Sequence, residues 1–521
     1  MKSFKFVSLK TALLLIYCSI VITTAWVSDD AYITFRSVEN FLHKYGLVYN
    51  IGERVQTFTH PLWFFVLSTA YYLALRIGSF VNWSLLYYVC VFVSILISLL
   101  AVSALLFGIA RSSRGALLAM LLLFFSKAFV DYSTSGLENP LSHFLMALFL
   151  IVYSNVVVEG FEKRSAGIFL LSFFASLMAV NRLDTFLFAI PALIYIFWMH
   201  PKANIIPMLM GQFPLIVWEG FSLIYYGRLF PNTAYAKLNT GINSFVLIQH
   251  GFAYFLNSLR IDPITLLAII CGSVYVLYRK KTWTPIVAGI ALYFLYVFYI
   301  GGDFMSGRFF SISLFAIAAI LSGVEFAEGT KYFWAVLFTV LIVGSLPIAF
   351  RQDRSKWGTM EMLDENKIAD ERMVYYPNMW LISDAREKMP HGTGYAGPGW
   401  KYDQTQPVIV EQVVTLGVPG YQAGPNKHII DRFSLVDPLM VYMPLIDPNQ
   451  WRIGHYQHVI PDGYIESLQS GQNKIQDGNI SFFYDQLSLV TKGDLFTRDR
   501  WFAIYKLNTG QYDHLIINAF P

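Results

Sequence analysis

The sequence predicts a polytopic α-helical membrane protein with a C-terminal soluble α+β domain. Of the 521 residues, 55% are hydrophobic and only 14% are charged, compared with roughly 25% charged residues in an average soluble protein. The mean hydropathy is +0.49. Long apolar runs occupy residues 1–350, whereas Gly, Pro, Tyr, Trp and charged residues mix over residues 351–521. We therefore predict a membrane domain followed by one soluble domain.

The apolar runs have the length that crosses a bilayer, about 20 residues. We predict about 11 spans, at residues 9–27, 84–110, 115–130, 138–158, 165–180, 185–200, 204–226, 262–279, 283–300, 309–324 and 332–350. The first run follows three lysines and resembles a signal peptide. We interpret it as an uncleaved helix that runs from inside to outside, because cleavage would leave Asp29 and Asp30 without an anchor.

One further apolar stretch, Pro61 to Leu75, has two interpretations. If it spans, Arg111 and Arg114 lie outside and every later loop inverts. If it lies along the outer interface, these arginines and the later basic loops lie inside, as the positive-inside rule favours. We adopt the second interpretation, in which residues 28–83 form an outer loop with interfacial helices. The net charge of +4 is small. The basic residues lie in short clusters between the apolar runs, which is typical of topology signals rather than of nucleic-acid binding.

The last span also runs from inside to outside, so the soluble domain is predicted on the outer side of the inner membrane. Its alternating segments indicate strands at Gln406 to Val414 and Trp501 to Leu507, with a helix at Ser481 to Val490. Trp400 and Trp451 suit binding of sugar faces, and packing in the core is the alternative for both.

In this topology the polar motifs open to one side of the membrane. They are Ser28-Asp29-Asp30, Asp131 to Glu138, Asn181 to Asp184, Pro231 to Lys237 and Gly301 to Arg308. Charges near a bilayer are costly and usually face a cavity or one another. We therefore predict that these motifs share a site.

Two adjacent acids follow the first span. Ser28 suits a helix N-cap and the acids suit the positive end of the helix dipole. Alternatively, Asp29 or Asp30 is a general base for a hydroxyl nucleophile, with the other orienting a sugar hydroxyl. A divalent cation, Mg²⁺ or Ca²⁺, held by these acids and Glu138 is also left open.

The other charged motifs have similar pairs of interpretations. Glu138 is either a complement to a helix dipole or an acid in a cavity. Arg182 pairs with Asp184 or binds a phosphate, which a planar guanidinium does well. Lys237 anchors to lipid headgroups or contacts the ligand.

Paired glycines at Gly301 and Gly302 allow unusual backbone geometry beside the opposite charges of Asp303 and Arg308. This loop is predicted to contact the ligand. Phosphate-loop, dinucleotide, zinc and serine-hydrolase motifs are missing from the sequence. Three cysteines in apolar runs offer neither a disulfide framework nor a metal site. Two functional classes remain: a transferase that uses a lipid-borne donor, and a carrier of such lipids.

Together the motifs resemble the GT-C glycosyltransferases, and more closely the mycobacterial terminal β-(1→2)-arabinofuranosyltransferase family. The resemblance rests on Asp29 to Ile33, Tyr45 to Asn50, Gly52 to Val55, Thr59 to Trp63, Ser135 to Glu138, Asn181 to Asp184, Leu229 to Lys237, Gly301 to Arg308, Asp437 to Leu439 and Trp451 to His455. It departs from that pattern at Leu183, where Pro is expected, and at His60, where Asn is usual.

The resemblance implies a polyprenyl-phosphate donor, such as decaprenyl-phosphoryl arabinofuranose, and transfer to a glycan or glycoprotein on the outer face of the inner membrane. The residues expected to take part are Asp29 and Asp30 as catalytic acids, Arg182, Lys237 and Arg308 at the donor phosphate, and Tyr32, Glu138, Asp184, Asn232, Tyr235 and Asp303 in the supporting cavity. The sequence does not determine whether the reaction retains or inverts the configuration at the anomeric carbon of the donor sugar. The alternatives are a flippase for lipid-linked sugars and a non-catalytic glycan-binding assembly protein.

Overall fold

The computed structural model describes residues 2–77, 85–158, 164–199, 201–238, 240–325, 331–350, 363–382, 400–413 and 415–520. The chain forms two compact units. The first unit comprises Met1–Ser28, Cys90–Leu215 and Ser244–Glu387, and the second comprises Asp29–Val89, Ile216–Asn243 and Lys388–Pro521. The second unit thus includes the predicted outer loop as well as most of the predicted soluble domain, so its boundaries differ from a simple division at residue 350.

Helices make up most of the described structure. In chain order they are α1 (Lys2–Thr24), α2 (Asp29–Leu42), α3 (Pro61–Ile77), α4 (Leu85–Ser103), α5 (Ser113–Phe125), α6 (Lys127–Asp131), α7 (Asn139–Tyr153), α8 (Arg164–Asn181), α9 (Phe186–Met199), α10 (Pro201–Gly211), α11 (Phe213–Tyr225), α12 (Asn232–Leu238), α13 (Ser244–Ile261), α14 (Pro263–Arg279), α15 (Thr284–Tyr299), α16 (Phe310–Ser322), α17 (Lys331–Phe350), α18 (Glu371–Met379), α19 (Val418–Gln422), α20 (Tyr464–Ser470), α21 (Gly478–Lys492), α22 (Arg498–Asn508) and α23 (Asp513–Ala519). The strands are β1 (Ile409–Val413) and β2 (Lys427–Asp431).

Helix α16 is the centre of the first unit. Every residue from Phe310 to Ser322 is buried, and the helix packs against α5, α7 and α14. A helix that is apolar all round is expected in such a surrounded position. The loop that leads into α16 carries Asp303 and Arg308, so the burial of this helix fixes where that loop lies.

Several helices of the described part are long and apolar enough to cross a membrane. Four meet this criterion alone, and up to six do so if α10 with α11 and α13 with α14 each count as one bent span. The four are Phe6–Thr24, Leu85–Ile109, Asn139–Val157 and Lys281–Tyr299. Shorter apolar helices include α3, α5 and α16. The helical architecture is compatible with a membrane protein, and the number of about 11 spans stays a prediction.

Two of the predicted spans differ in detail from the observed helices. The predicted span at 204–226 is two helices, α10 and α11, bent by 48°. Helix α13 is absent from the predicted set and meets α14 at 107°. Pro263 begins α14, where the missing N–H of proline costs no hydrogen bond.

The strands of the second unit form a two-stranded parallel sheet, with Ile409 opposite Lys427 and Val413 opposite Asp431. Strand β1 confirms the strand predicted at Gln406 to Val414, and α21 confirms the helix predicted at Ser481 to Val490.

The strand predicted at Trp501 to Leu507 is wrong, because this stretch lies in α22. Its buried residues Arg500, Ala503 and Ile504 have the spacing of a helix face rather than the alternation of a strand.

Within the second unit, the predicted outer loop is tied to residues after position 400. Arg36 is fully buried and donates hydrogen bonds to the carbonyl oxygens of Tyr49 and Lys427, each at 2.8 Å, and to that of Gly420. Asn50 exchanges two hydrogen bonds with the backbone of Ile429, at 2.9 and 3.0 Å. The loop and the C-terminal segment therefore share one folded unit.

Trp400 belongs to this core. Its side chain is fully buried, and its indole N–H donates to Asn40 Oδ1 at 2.8 Å. The ring stacks on Tyr421 with 5.4 Å between centroids. The expectation that Trp400 presents a face to sugars is wrong, and core packing accounts for this residue.

The segment that follows α17 returns to the first unit. Ala369 N donates to Phe304 O at 2.7 Å, and Ser306 N donates to Ala369 O at 2.9 Å. Further along, Arg372 pairs with Asp131 at 2.7 Å. Residues 363–382 therefore pack on the Gly301 to Arg308 loop, although the sequence placed them in the soluble domain.

Candidate functional site

Three of the predicted motifs meet in the first unit around one carboxylate. Glu138 Oε1 accepts hydrogen bonds from Arg182 Nη1 at 2.9 Å and from Arg308 Nη2 at 3.0 Å. Arg182 Nε also donates to both oxygens of Asp184, at 2.8 and 3.0 Å. Asp303 Oδ2 lies 3.7 Å from Arg308 Nη1. We call these five residues the charge cluster.

The ends of three helices position the charge cluster. Glu138 directly precedes α7, Arg182 directly follows α8, and Arg308 lies just before α16. Asn181 fixes the first two ends, since its side-chain amide donates to Glu138 O at 3.2 Å and to Ser142 Oγ at 2.9 Å. The site is thus set by helix ends that pack together.

The Gly301 to Arg308 loop needs glycine at its bend. Gly302 has a φ of +77°, a region that other residues rarely adopt. A Cβ there would stand 2.6 Å from the Cβ of Tyr254. Close approach to α13 therefore depends on this glycine, and the bend leads directly into Asp303.

The charge cluster is largely buried, with Arg182 and Asp184 partly exposed, and it carries alternating charges. Glu138 is fully buried, and the side chains of Arg182 and Arg308 are 14% and 10% exposed. Burial alone would lower the pKa of the Arg182 guanidinium, but the carboxylates of Asp184 and Glu138 outweigh it and raise that pKa well above its ordinary value. Arg182 is therefore a permanent cation.

Arg182 retains a hydrogen-bond donor. Its Nε and Nη1 bond to Asp184 and Glu138, while Nη2 makes no hydrogen bond to any residue that the structure describes. The guanidinium lies 4.5 Å from the ring centroid of Phe309, a cation–π distance. The remaining donor on a fixed cation is chemically suited to an anionic oxygen.

A second ionic network lies in the same unit. Lys127 pairs with Asp131 and, at 2.9 Å, with Asp370. Arg372 completes the set through Asp131. The Asp131 to Glu138 motif therefore divides, with Asp131 holding the segment after α17 and Glu138 holding the charge cluster.

Asp29 and Asp30 begin α2 in the second unit, which confirms the predicted helix start. Asp29 Oδ1 accepts from the backbone N–H of Val418 at 2.8 Å, and Oδ2 accepts from that of Gly417 at 3.2 Å. Burial raises the pKa of Asp29, although these two N–H groups act in the opposite direction. Asp29 thus binds the turn that begins α19.

Gly417 makes this contact possible. A Cβ at Gly417 would stand 2.0 Å from Asp29 O and 2.5 Å from Asp29 Cγ, so no larger residue fits without movement. Asp30 is half-buried beside it. Tyr32 is 2% exposed and lies in an aromatic group with Phe35 and Tyr421, at 4.9 and 5.6 Å between ring centroids.

The predicted residues of the Pro231 to Lys237 motif lie on or next to α12, also in the second unit. Asn232 is buried and donates to the carbonyl oxygens of Ser434 and Asp437, at 2.7 and 3.0 Å. Tyr235 packs under the guanidinium of Arg228 at 4.2 Å. Lys237 is exposed in the last turn.

The predicted site residues therefore fall into two groups. Glu138, Arg182, Asp184, Asp303 and Arg308 form the charge cluster of the first unit. Asp29, Asp30, Tyr32, Asn232, Tyr235 and Lys237 lie in the second unit.

Two curated proteins are similar to the chain along most of its length. The terminal β-(1→2)-arabinofuranosyltransferase of Mycobacterium tuberculosis is 25% identical over 529 aligned positions, which cover 84% of this chain and 82% of that protein. The protein of the same name from Corynebacterium glutamicum is 26% identical over 511 positions, which cover 83% of this chain and 73% of that protein. The chain resembles terminal β-(1→2)-arabinofuranosyltransferases. The predicted resemblance is confirmed, while no protein-family model matches the sequence.

Within the described ranges, no three or more His, Cys, Asp or Glu side chains gather in a way that would hold a metal ion. Glu138 is surrounded by two arginines, which supply the positive charge that a cation would otherwise supply.

Several buried charged residues of the second unit were not predicted as site residues, among them Arg36, Glu53 and Arg228. Each lies in or beside a stretch that carried the resemblance, so their neighbourhood was marked but their burial was not. Arg228 contacts Tyr235 and Tyr442 through its guanidinium, at 4.2 and 5.1 Å from the ring centroids. An arginine embedded between tyrosines leaves no periodic pattern in the sequence.

Proposed function

We propose that the protein is a glycosyltransferase that moves arabinofuranose from a polyprenyl-phosphate donor to a glycan or glycoprotein acceptor on the outer face of the cytoplasmic membrane. The observation that carries this proposal is the similarity to two arabinofuranosyltransferases over 84% and 83% of the chain. The apolar helices support a membrane location, which a polyprenyl tail requires.

The charge cluster supports a role in binding the donor phosphate. Arg182 and Arg308 are held in place by Glu138, so they lose little freedom when a ligand arrives. A phosphate at Arg182 Nη2 would receive a charge-assisted hydrogen bond. Lys237 remains a predicted donor-binding residue in the second unit.

In the proposed reaction, an acceptor hydroxyl oxygen forms a bond to the anomeric carbon of arabinofuranose. The bond from that carbon to the phosphate oxygen breaks, and polyprenyl phosphate leaves with the electron pair. Asp30 accepts the hydroxyl proton. Asp29 is the positioning residue, because both of its oxygens already accept backbone hydrogen bonds from Gly417 and Val418.

The test uses the purified full-length protein with a synthetic polyprenyl-phosphoryl arabinofuranose and a short arabinofuranosyl acceptor. Asp30→Asn is expected to reduce kcat by about 10²–10⁴-fold. Arg182→Lys is expected to reduce kcat/KM by about 10–100-fold, because lysine lacks the planar fork that bonds Asp184 and Glu138. The matched control is Arg260→Lys, at an exposed position in the last turn of α13, which should retain wild-type kinetics.

Transfer at the wild-type rate by both Asp29→Asn and Asp30→Asn would contradict the catalytic proposal. If the wild-type protein moves the donor lipid across vesicles but transfers no sugar, it is a carrier of lipid-linked sugars. If it binds the acceptor alone, it is a glycan-binding assembly protein.

A further inference from the structure

The second unit contains a cavity of about 230 Å³ whose walls come from three parts of the chain. Its lining includes Glu53 from the predicted outer loop, Tyr402, Pro407 and Asn426 from the region around the sheet, and His428 and Lys492. A water molecule occupies about 30 Å³ in the liquid. The cavity therefore has room for roughly seven waters, or for a single sugar ring with its hydroxyl groups.

Glu53 is the unusual group in this cavity. Its side chain is 3% exposed, and its Oε1 lies 2.9 Å from Lys492 Nζ. Among the described residues, the charged neighbour of Oε2 is His428, whose Nε2 lies 3.8 Å away. Apart from the ion pair with Lys492, neither oxygen accepts a hydrogen bond from the residues that the structure describes. A buried carboxylate normally accepts several, so Glu53 has unused acceptor capacity at the cavity wall.

The charge state of Glu53 defines what it can bind. Burial opposes ionisation, but the positive charge of Lys492 and the neighbouring His428 outweigh it and lower the pKa of Glu53 below its ordinary value. Glu53 is therefore an ionised carboxylate, which accepts hydrogen bonds and donates none. Hydroxyl groups are suitable partners for its free lone pairs.

The ionisable groups of the wall balance one another, since Glu53 and Asp403 are acidic and Lys427 and Lys492 are basic. An ion of either sign therefore meets both attraction and repulsion and gains little net electrostatic energy. A neutral ligand with several hydroxyl groups meets both an acceptor and a donor. This combination favours a polyol over a phosphate or a metal ion.

The rest of the lining combines apolar and amide groups with the charged side chains of Asp403 and Lys427. Tyr402 presents an aromatic ring, half-buried and edge-on to Tyr45 at 5.9 Å between centroids. Asn426 Oδ1 accepts from Asp403 N at 2.7 Å, which fixes the turn that carries Tyr402 and Pro407. Apolar walls with a few convergent polar groups are typical of sites for small organic ligands.

We propose that this cavity binds one sugar residue of the acceptor glycan. Two adjacent hydroxyl groups donate to Glu53, Lys492 donates to a sugar oxygen, and the C–H face of the ring packs on Tyr402. The identity of the glycan rests on the proposed function. None of the lining residues is one to which we assign a part in the reaction, so the bound sugar is proposed to contribute to acceptor affinity.

The test is a ligand-observed NMR titration of the full-length protein in detergent with an arabinofuranosyl trisaccharide. Glu53→Gln removes the charge and one acceptor oxygen, and it should weaken Kd by about tenfold or more. Val408→Trp fills the cavity from its exposed rim without touching the ion pair, and it should weaken Kd at least as much. Glu466→Gln is the matched control, an exposed glutamate of α20 outside the cavity, and its Kd should equal that of the wild type.

Unchanged trisaccharide affinity in both Glu53→Gln and Val408→Trp would overturn the sugar site, and so would displacement of the trisaccharide by millimolar inorganic phosphate. Sugar transfer is measured in the same preparations, so the sugar site and the transferase activity are tested independently of each other. Cavity-dependent binding without any transfer would leave the sugar site standing and refute the transferase. If sugar is transferred but neither Glu53→Gln nor Val408→Trp changes the affinity for the trisaccharide, the transferase stands and the sugar site is refuted.

Discussion

Glu138 Oε1 lies 2.9 Å from Arg182 Nη1, although 44 residues separate the two along the chain. The same oxygen also accepts from Arg308, 170 residues later. Glu138 is thus the shared partner of both guanidiniums.

Glu138→Gln should destabilise the first unit. The amide keeps the shape of the side chain but leaves Arg182 and Arg308 without their shared counter-charge in a buried place. We expect the free energy of unfolding to fall by about 3 kcal/mol, measured by thermal or denaturant unfolding in detergent. Glu466→Gln makes the same chemical change at the surface and should cost less than about 0.5 kcal/mol. Equal stability of the two variants would contradict the assignment of Glu138 as the shared counter-charge.

Gly417→Ala should disturb Asp29 through a single added methyl group. Its Cβ would stand 2.0 Å from Asp29 O, so the start of α19 must move and the two hydrogen bonds to Asp29 must lengthen. We expect a loss of about 1–3 kcal/mol in unfolding free energy together with slower sugar transfer. Gly478→Ala is the matched control, because nothing lies within 4 Å of a Cβ there. A Gly417→Ala protein as active and stable as the control would show that the Asp29 contact is dispensable.

Arg36→Lys should loosen the predicted outer loop. Arg36 donates to three carbonyl oxygens in different directions, and a lysine ammonium on a single stem cannot reach all three. We expect a loss of about 3 kcal/mol and faster proteolysis of residues 28–83. The control is Arg432→Lys, since Arg432 is exposed and makes one long hydrogen bond, 3.4 Å to Gln412. If Arg36→Lys is cleaved no faster than the control, Arg36 does not anchor the predicted outer loop.

Stability of the second unit should depend on the protonation of Asp437. Burial and the nearby charge of Glu53 raise the pKa of this carboxyl from 3.8 to about 7. The folded state therefore holds a proton that the unfolded chain releases above pH 4. The stability that this proton contributes is fully present below about pH 4 and is lost as pH rises towards 7.

Asp437→Asn keeps an oxygen for the backbone N–H groups of Leu439 and Met440 and removes the titration. Between pH 5 and pH 7, we expect the wild type to lose about 2 kcal/mol more than Asp437→Asn, measured by unfolding at both pH values. Asp431, whose pKa burial raises to about 6, is present in both proteins and cancels in the difference. Parallel pH profiles of the two proteins would contradict the prediction, and Asp447→Asn, at a turn on the surface, should follow the wild type.

The orientation of α3 can be tested by labelling. Cysteine replaces Gly78, which lies outside the described residues, in a protein whose native cysteines are changed to alanine. If α3 lies along the outer interface, a membrane-impermeant maleimide should label position 78 in intact cells. Position 163 belongs to one of the basic loops that are predicted to lie inside. A cysteine there should stay unlabelled until the membrane is permeabilised. The opposite pattern at position 78 would make α3 an ordinary span.

Much of the helical framework was predictable because long apolar runs have few alternatives in a membrane. Helix α13 was the exception. Its Gln249, His250 and Asn257 interrupt the apolar run, and the hydrogen bonds of His250 to the backbone and of Asn257 to Asp364 become visible only in the fold. Hydropathy averages over such residues and cannot show that each polar group has a partner.

The charge cluster was predicted as a set of motifs but not as a set of bonds. Topology alone placed Glu138, Arg182 and Arg308 on one side, and the structure shows that a carboxylate joins the two cations. The pairing depends on where helices α7, α8 and α16 end in space, which no local pattern encodes. Asp29 was predicted as an acid at the positive end of the helix that it begins, and it does lie in the first turn of α2. Its hydrogen bonds to the N–H groups of Gly417 and Val418 at the start of α19 were not predicted.

The tie between Arg36 and the sheet has a consequence for biosynthesis. Gly420 and Lys427 follow Arg36 by 384 and 391 residues. At roughly 5–20 residues per second, a ribosome needs about 20–80 s to make that interval. Throughout that time Arg36 can reach Tyr49 O, but two of its three carbonyl partners do not yet exist. The early loop must therefore wait for the later segment that completes its burial.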